Sequence, residues 1–182
     1  MNFLQEYYNE FASANQSITN ESIEGVVSML LESYENKRNV FLLGNGQSAI
    51  DTMDFALGLS SKCNIRATPL SNNIGAITKY ANDESYNHTF SNQLETWFND
   101  GDVIIMISYE GNCQNILNAI SSINKNAIFI AFTAKDGGKI KEYSDINVNV
   151  NTQIESIFHI VNKMTMNYII ELIAYIQKNN KG

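Results

Sequence analysis

Apolar side chains recur three and four positions apart at Phe3, Leu4, Tyr7, Tyr8 and Phe11, and again at Ile23, Val26, Val27, Leu30, Leu31 and Tyr34. That period belongs to helices with one buried face. It predicts an N-terminal helical pair, the second member starting near Thr19-Asn20-Glu21. Then the pattern changes. Short apolar runs at residues 39–43 (NVFLL), 65–70 (IRATPL), 102–107 (DVIIMI) and 126–132 (NAIFIAF) read as buried strands, and INVNV at 146–150 alternates like an edge strand. Helical stretches at about 48–60, 85–98, 114–123 and 153–178 lie between and after them. The last carries Ile154, Ile157, Val161, Met164, Tyr168, Leu172 and Tyr175 as a core-facing stripe. Strands alternating with helices predict an α/β fold, a mostly parallel sheet of five strands with helices on both faces.

Two units along the chain look alike. NVFLLGNGQSAIDTMDFAL and DVIIMISYEGNCQNILNAI each run a strand into a loop of small residues containing Ser, then into a helix. In open α/β sheets ligands bind beyond the carboxyl ends of the strands, and the free N–H groups of helix starts favour an anion there. The loops place Asn45, Gly46 and Ser48, and Ser108, Gly111, Asn112 and Cys113, as candidate ligand contacts. Glu110 stands out because it sets a carboxylate where an anion would sit.

Composition narrows the classes. The 182 residues are 44% hydrophobic and 17% charged, and suffice for one domain with a sizeable core. A formal charge of −7 argues against a nucleic-acid surface, which needs clustered Lys and Arg. It leaves room for a small anion at a locally positive site. Cys63 and Cys113 have no metal-binding spacing and form no disulfide framework. With no signal-like N-terminus and no apolar run of membrane-spanning length, a soluble cytoplasmic protein without a membrane partner is expected.

GNGQSAIDTMDFA, the stretch from PLSNNIGAITKYANDE to GDVIIMIS, GNCQNILNAI and FTAKDGGKIKEYSDINVNV together resemble the SIS (sugar isomerase) domain, and within it phosphoheptose isomerase, which acts on sedoheptulose 7-phosphate. The resemblance covers nearly the whole chain and implies a three-layer sandwich in a single SIS domain over 1–182, with residues 1–36 serving oligomerisation and 37–182 forming the α/β core. It further implies a homotetramer with sites shared between subunits, a sugar-phosphate ligand held across the two Ser-bearing loops, and a zinc ion with a Glu/His pair for proton transfer.

Carried over residue by residue, the family's phosphate Ser falls on Ser48 and its substrate-facing Asp on Asp83. Its sugar-binding Arg falls on Lys62, which keeps the charge and loses the fork. In the second loop only Ser108 survives at the start; Tyr109, Glu110 and Cys113 replace hydroxyl-bearing residues. The zinc-ligand positions fall on Asp54, Gly58, Ser156 and Met164, or on Glu155 in place of Ser156 if the last helix slips by one residue. Of the four, only Asp54 could ligate a metal as a carboxylate, so the expectation is a chain without the family's zinc and with no other cofactor. Gly58 and Met164 move no proton. The candidate catalytic groups that remain are Glu110, Asp54 and His159, each with an ordinary structural alternative: Glu110 turned to solvent, Asp54 a polar helix residue, His159 a satisfied core histidine. His88 is a further histidine in the segment after Asp83, and Asp51 matches a family Asp near a helix start, where it reads as structural.

Three functions fit this sequence: a sugar-phosphate enzyme of heptose or surface-polysaccharide metabolism with altered chemistry, a non-catalytic SIS adaptor or regulator, or a pseudoenzyme subunit completing an active paralogue.

Overall fold

The periodic N-terminal stretches form α1 (Phe3–Gln16) and α2 (Asn20–Glu35) in a computed structural model that describes residues 2–123 and 126–180. Thr19 caps α2 by accepting from the Ser22 backbone N–H. The five strands are β1 (Asn39–Gly44), β2 (Arg66–Pro69), β3 (Val103–Ser108), β4 (Ile128–Ala134) and β5 (Ile146–Val150). They pair in the order β2-β1-β3-β4-β5, and every pairing is parallel. The alternating strand β5 lies at one edge. The strand holding Pro69 lies at the other, where a missing ladder donor is tolerated.

The remaining helices are α3 (Gln47–Cys63), α4 (Ile74–Asp83), α5 (Ser91–Trp97), α6 (Gln114–Ser122), α7 (Gly138–Tyr143) and α8 (Glu155–Asn179). Two cores sandwich the sheet. Val40, Leu42, Ile105 and Ile107 meet Phe55 and Leu59 of α3 and Phe158, Val161 and Ile169 of α8. Phe41, Leu43, Ile104 and Met106 meet Leu94 of α5 and Ile116 and Ala119 of α6. Successive residues of β1 and β3 thus enter opposite cores, so these strands read as unbroken apolar runs.

The structure departs from the sequence pattern in the middle of the chain. The expected helix at 85–98 is a 3-10 turn at Tyr86–His88 followed by the short α5. Helix α4 buries no residue fully, so it leaves no apolar stripe to read; its start is fixed by Asn73, which accepts from the Ala76 N–H. Helix α7 is only six residues long and likewise gives no period. Among the described residues no helix is long and apolar enough to cross a membrane.

Strand order reverses between β1 and β3, and the register sets Gly44 beside Ile107 and Ser108 beside Thr133. The two look-alike loops therefore emerge side by side at the switch point of the sheet, where such folds leave a crevice.

Candidate functional site

A cleft of about 460 Å³ opens there, walled by residues 45–48 after β1, residues 107 and 108 at the end of β3, residues 109, 110, 112 and 113 after it, and Glu155 of α8. The loops are built to hold this opening. Gly46 takes φ +56° at the start of α3, a conformation that favours glycine. Gly111 takes φ +66°, and a Cβ there would run into the carbonyl of Gly137. Its own carbonyl accepts from the Ile140 N–H at 2.9 Å, and Asn112 Oδ1 accepts from the Lys139 N–H at 3.1 Å. The second loop is thus stapled to α7.

Ser48 and Ser108 are both buried beside the cleft. The Ser108 hydroxyl is engaged within its own loop: it accepts from the Gly111 N–H at 3.2 Å and lies 3.3 Å from Cys113 Sγ. Neither Gly46 before α3 nor Cys113 before α6 supplies a side-chain cap, although within the first turn of α6 Asn115 Oδ1 accepts from the Ile116 N–H at 3.0 Å. Both helices start at the cleft, and their first N–H groups, ahead of Ala49 and Ile116, have no intrahelical acceptor.

A carboxamide network that the sequence does not announce supports the first loop. Asn45 and Asn115 exchange two hydrogen bonds, each 2.9 Å, and Tyr86 donates its hydroxyl to Asn45 Oδ1 at 2.8 Å. Burial pushes the Tyr86 phenol above its usual range. The one signal for it is Asn115, a polar residue four positions before Ala119 on the buried stripe of α6.

Glu110 turns to the rim. Its side chain is 64% exposed and pairs with Lys135 Nζ at 2.6 Å. That hydrogen bond to Glu110 holds the Lys135 ammonium above its usual range. The same ammonium sits 4.6 Å from the centre of the Tyr109 ring, and Tyr109 packs inward on Phe158. The carboxylate thus stays at the mouth of the cleft, largely neutralised by its neighbour.

The other candidates separate along α3 and α8. His159 Nδ1 lies 2.5 Å from Asp51 Oδ2, with both side chains almost buried at 12% and 7% exposure. An ionised carboxylate only accepts, so Nδ1 carries the proton and Nε2 faces the other way. Nε2 is buried with no hydrogen-bond partner, 3.8 Å from Glu155 on the cleft wall. Asp51 is therefore the partner that fixes His159, more than a helix-start charge. Asp54 is half-exposed, outside the cleft wall, and paired with Lys163 at 2.5 Å.

Lys62 is not brought to this cleft. It sits on the last turn of α3, about 20 Å along the helix from Ser48, paired with Glu171. Asp83 does not line the cleft either; Lys79 and Asn82 hold its carboxylate, and the Lys79 hydrogen bond keeps its pKa low. His88 ends the 3-10 turn and is exposed.

The positions matched to zinc ligands are otherwise occupied. Gly58 packs against α8 so closely that a Cβ would strike Ile170 Cδ1; Ser156 lies 3.1 Å from the Tyr7 hydroxyl; Met164 is 45% exposed. Among the described residues no three His, Cys, Asp or Glu side chains cluster as a metal requires.

Comparison with known proteins agrees with this architecture. Residues 6–134 match the model of the SIS domain. A probable phosphoheptose isomerase of Thermoplasma acidophilum is 32% identical over 159 residues, 84% of this chain and 87% of its own length. The phosphoheptose isomerase of Clostridium acetobutylicum is 35% identical over 139 residues, 73% of this chain and 71% of its own. The structure of phosphoheptose isomerase from Neisseria gonorrhoeae superposes with a TM-score of 0.86 at 25% identity, covering 93% of this chain and 96% of that one. With its parallel sheet, its paired Ser-bearing loops and phosphoheptose isomerases as its relatives, the chain belongs to the SIS domain family.

Proposed function

We propose that this chain binds a phosphosugar of the heptose phosphate class in the cleft between β1 and β3, and that it works without the zinc chemistry of its relatives. The observation that carries the reading is the pair of uncapped helix starts, α3 and α6, facing one cleft at the switch point. Unsatisfied N–H groups and the positive ends of two helices favour a phosphate there. Ser48 adds a hydroxyl, and Lys135 offsets the charge of Glu110 at the mouth.

Zinc does not fit the residues present. Of the four matched positions only Asp54 offers a donor, and Lys163 occupies its carboxylate. His159 does not line the cleft itself, but its buried Nε2 lies 3.8 Å from Glu155, which does. Isomerisation between aldose and ketose moves a proton between neighbouring carbons, which needs a positioned acid–base group. Asp51 holds the ring, Nε2 has no hydrogen-bond partner, and Glu155, which lines the cleft, lies 3.8 Å from it. His159 and Glu155 move the proton; Asp51 positions.

The assembly in this reading is a homotetramer. Large apolar side chains stand exposed on α1 (Phe3, Leu4, Tyr8), α3 (Ile50, Leu57) and α8 (Ile160, Met164, Tyr168). In this reading these side chains are the subunit contacts. Lys62, far from its own cleft, would then serve only the cleft of another copy.

The test uses sedoheptulose 7-phosphate. Calorimetry should detect binding, and NMR in D₂O should show deuterium entering the carbon next to the carbonyl, with His159→Gln abolishing exchange and keeping binding. Absence of binding at millimolar ligand overturns the function. Binding without exchange overturns the proton-transfer role and selects a sugar-phosphate sensor or adaptor.

A further inference from the structure

The chain has twelve Lys and Arg residues, and only two of them, Arg38 and Arg66, are arginines. Both line one cleft of about 410 Å³, together with Lys37. This cleft lies just before β1 and β2, at the amino ends of the strands and thus at the opposite edge of the sheet from the site described above.

Each guanidinium is seated by a single backbone contact. Arg38 Nη1 donates to the Gly101 carbonyl at 2.9 Å. Arg38 also lies against the Gly101 backbone, where a Cβ would come within 2.6 Å of Cζ. Gly101 itself has φ +83°, so both its conformation and its bareness accommodate that arginine. Arg66 Nη1 donates to the Lys37 carbonyl at 3.0 Å, and Lys37 is turned into the left-handed region at φ +54°. A guanidinium has five N–H donors, so each retains most of its fork. Among the described residues none of these three cations has a carboxylate within ion-pair distance.

The charge balance decides whether an anion is wanted here. Helices α2 and α3 both end at the cleft, with caps Asn36 and Asn64, and a helix end carries about half a negative charge. Glu35 is also in the wall. About two negative charges thus face three positive ones, leaving roughly one positive charge on a chain whose net charge is −7. Complementing helix ends needs only point charges, which lysine supplies. Two anchored forks with free donors suit the oxygens of a phosphate.

We propose that Lys37, Arg38 and Arg66 form a second anion site that takes the phosphate group of a small molecule, separate from the cleft between β1 and β3. The test is ³¹P NMR titration of the full chain with inorganic phosphate at 150 mM NaCl. The proposal expects two phosphates per chain, one lost in Arg66→Gln/Lys37→Asn and the other in Ser48→Ala/Ser108→Ala. Asn at position 37 tolerates the left-handed backbone, and both substituted side chains are exposed, so the fold should persist by circular dichroism. Arg66→Lys, which keeps charge and loses the fork, should weaken this phosphate about tenfold. One phosphate lost only with the basic pair supports this site and overturns the phosphate role of the β1–β3 cleft. Unchanged binding in Arg66→Gln/Lys37→Asn overturns the second site, and equal affinity in Arg66→Lys overturns recognition by the fork.

Discussion

Replacing Asp51 by Asn tests the reading of the α3–α8 pair most directly. The change keeps the volume and one hydrogen-bond acceptor but removes the charge that faces His159 Nδ1 at 2.5 Å. Both side chains are nearly buried, so solvent offers little compensation. A hydrogen bond to a charged group contributes about 1.5–3 kcal/mol and a neutral one about 1 kcal/mol, so Asp51→Asn should cost about 0.5–2 kcal/mol. Asp51→Ala leaves the Nδ1–H buried without an acceptor and opens a small void, and should cost about 2–4 kcal/mol. The order wild type, Asn, Ala is read from urea unfolding at pH 7. The amide also lets the ring take the other tautomer, which ¹⁵N spectra of His159 report, and it should slow proton exchange into a bound sugar phosphate on the order of 10²–10⁴-fold. If both variants match the wild type within about 0.5 kcal/mol and the tautomer is unchanged, the pair neither fixes the ring nor supports the core.

Three further outcomes follow from other parts of the structure. Gly111→Ala forces a side chain into the left-handed region and onto the Gly137 carbonyl, and should lower stability by about 2–5 kcal/mol; a loss under about 1 kcal/mol in urea would show that the two loops are not stapled as described. Glu110→Ser removes the rim carboxylate and frees Lys135, so inorganic phosphate should bind the β1–β3 cleft more tightly by calorimetry; unchanged affinity would place Glu110 outside the field of the bound anion. Burial pushes the Cys63 thiol up to about 11 from its ordinary 9.0. At pH 8 a thiol reagent should therefore label the half-buried Cys113 and spare Cys63 until the chain unfolds. Because the folded state holds that proton more firmly, its contribution to stability is complete below pH 9 and is lost as pH rises towards 11. Cys63→Ala should show a shallower alkaline fall; an identical fall in both proteins would assign it to other groups.

Much of the fold is legible in the chain because its signals are local. The unbroken runs of β1, β3 and β4 follow from strands buried on both faces, and the alternation of β5 follows from its place at an edge. Helices α4 and α7 are invisible to the same reading, since one buries no residue fully and the other is too short to show a period. The loops of the cleft were legible as well: Gly46, Ser48, Ser108 and Gly111 sit where the strand–loop–helix pattern puts them.

Which side chains pair depends on partners remote in sequence. The family pattern places Lys62 at the ligand, yet the length of α3 carries it away from the cleft of its own chain and Glu171 pairs with it. Glu110 and Asp54 offered carboxylates, and Lys135 and Lys163 took them up. Asp51 looked structural, and His159, 108 residues on, gives it a second purpose. Periodicity and loop chemistry act over a few residues, so the strands, the long helices and the position of the crevice can be read from the chain, whereas α4, α7 and the break at residues 86–91 cannot. The tertiary structure alone decided which charges cancel, which ring is held and which nitrogen stays free, because those contacts exist only once α3 and α8 lie side by side on the sheet.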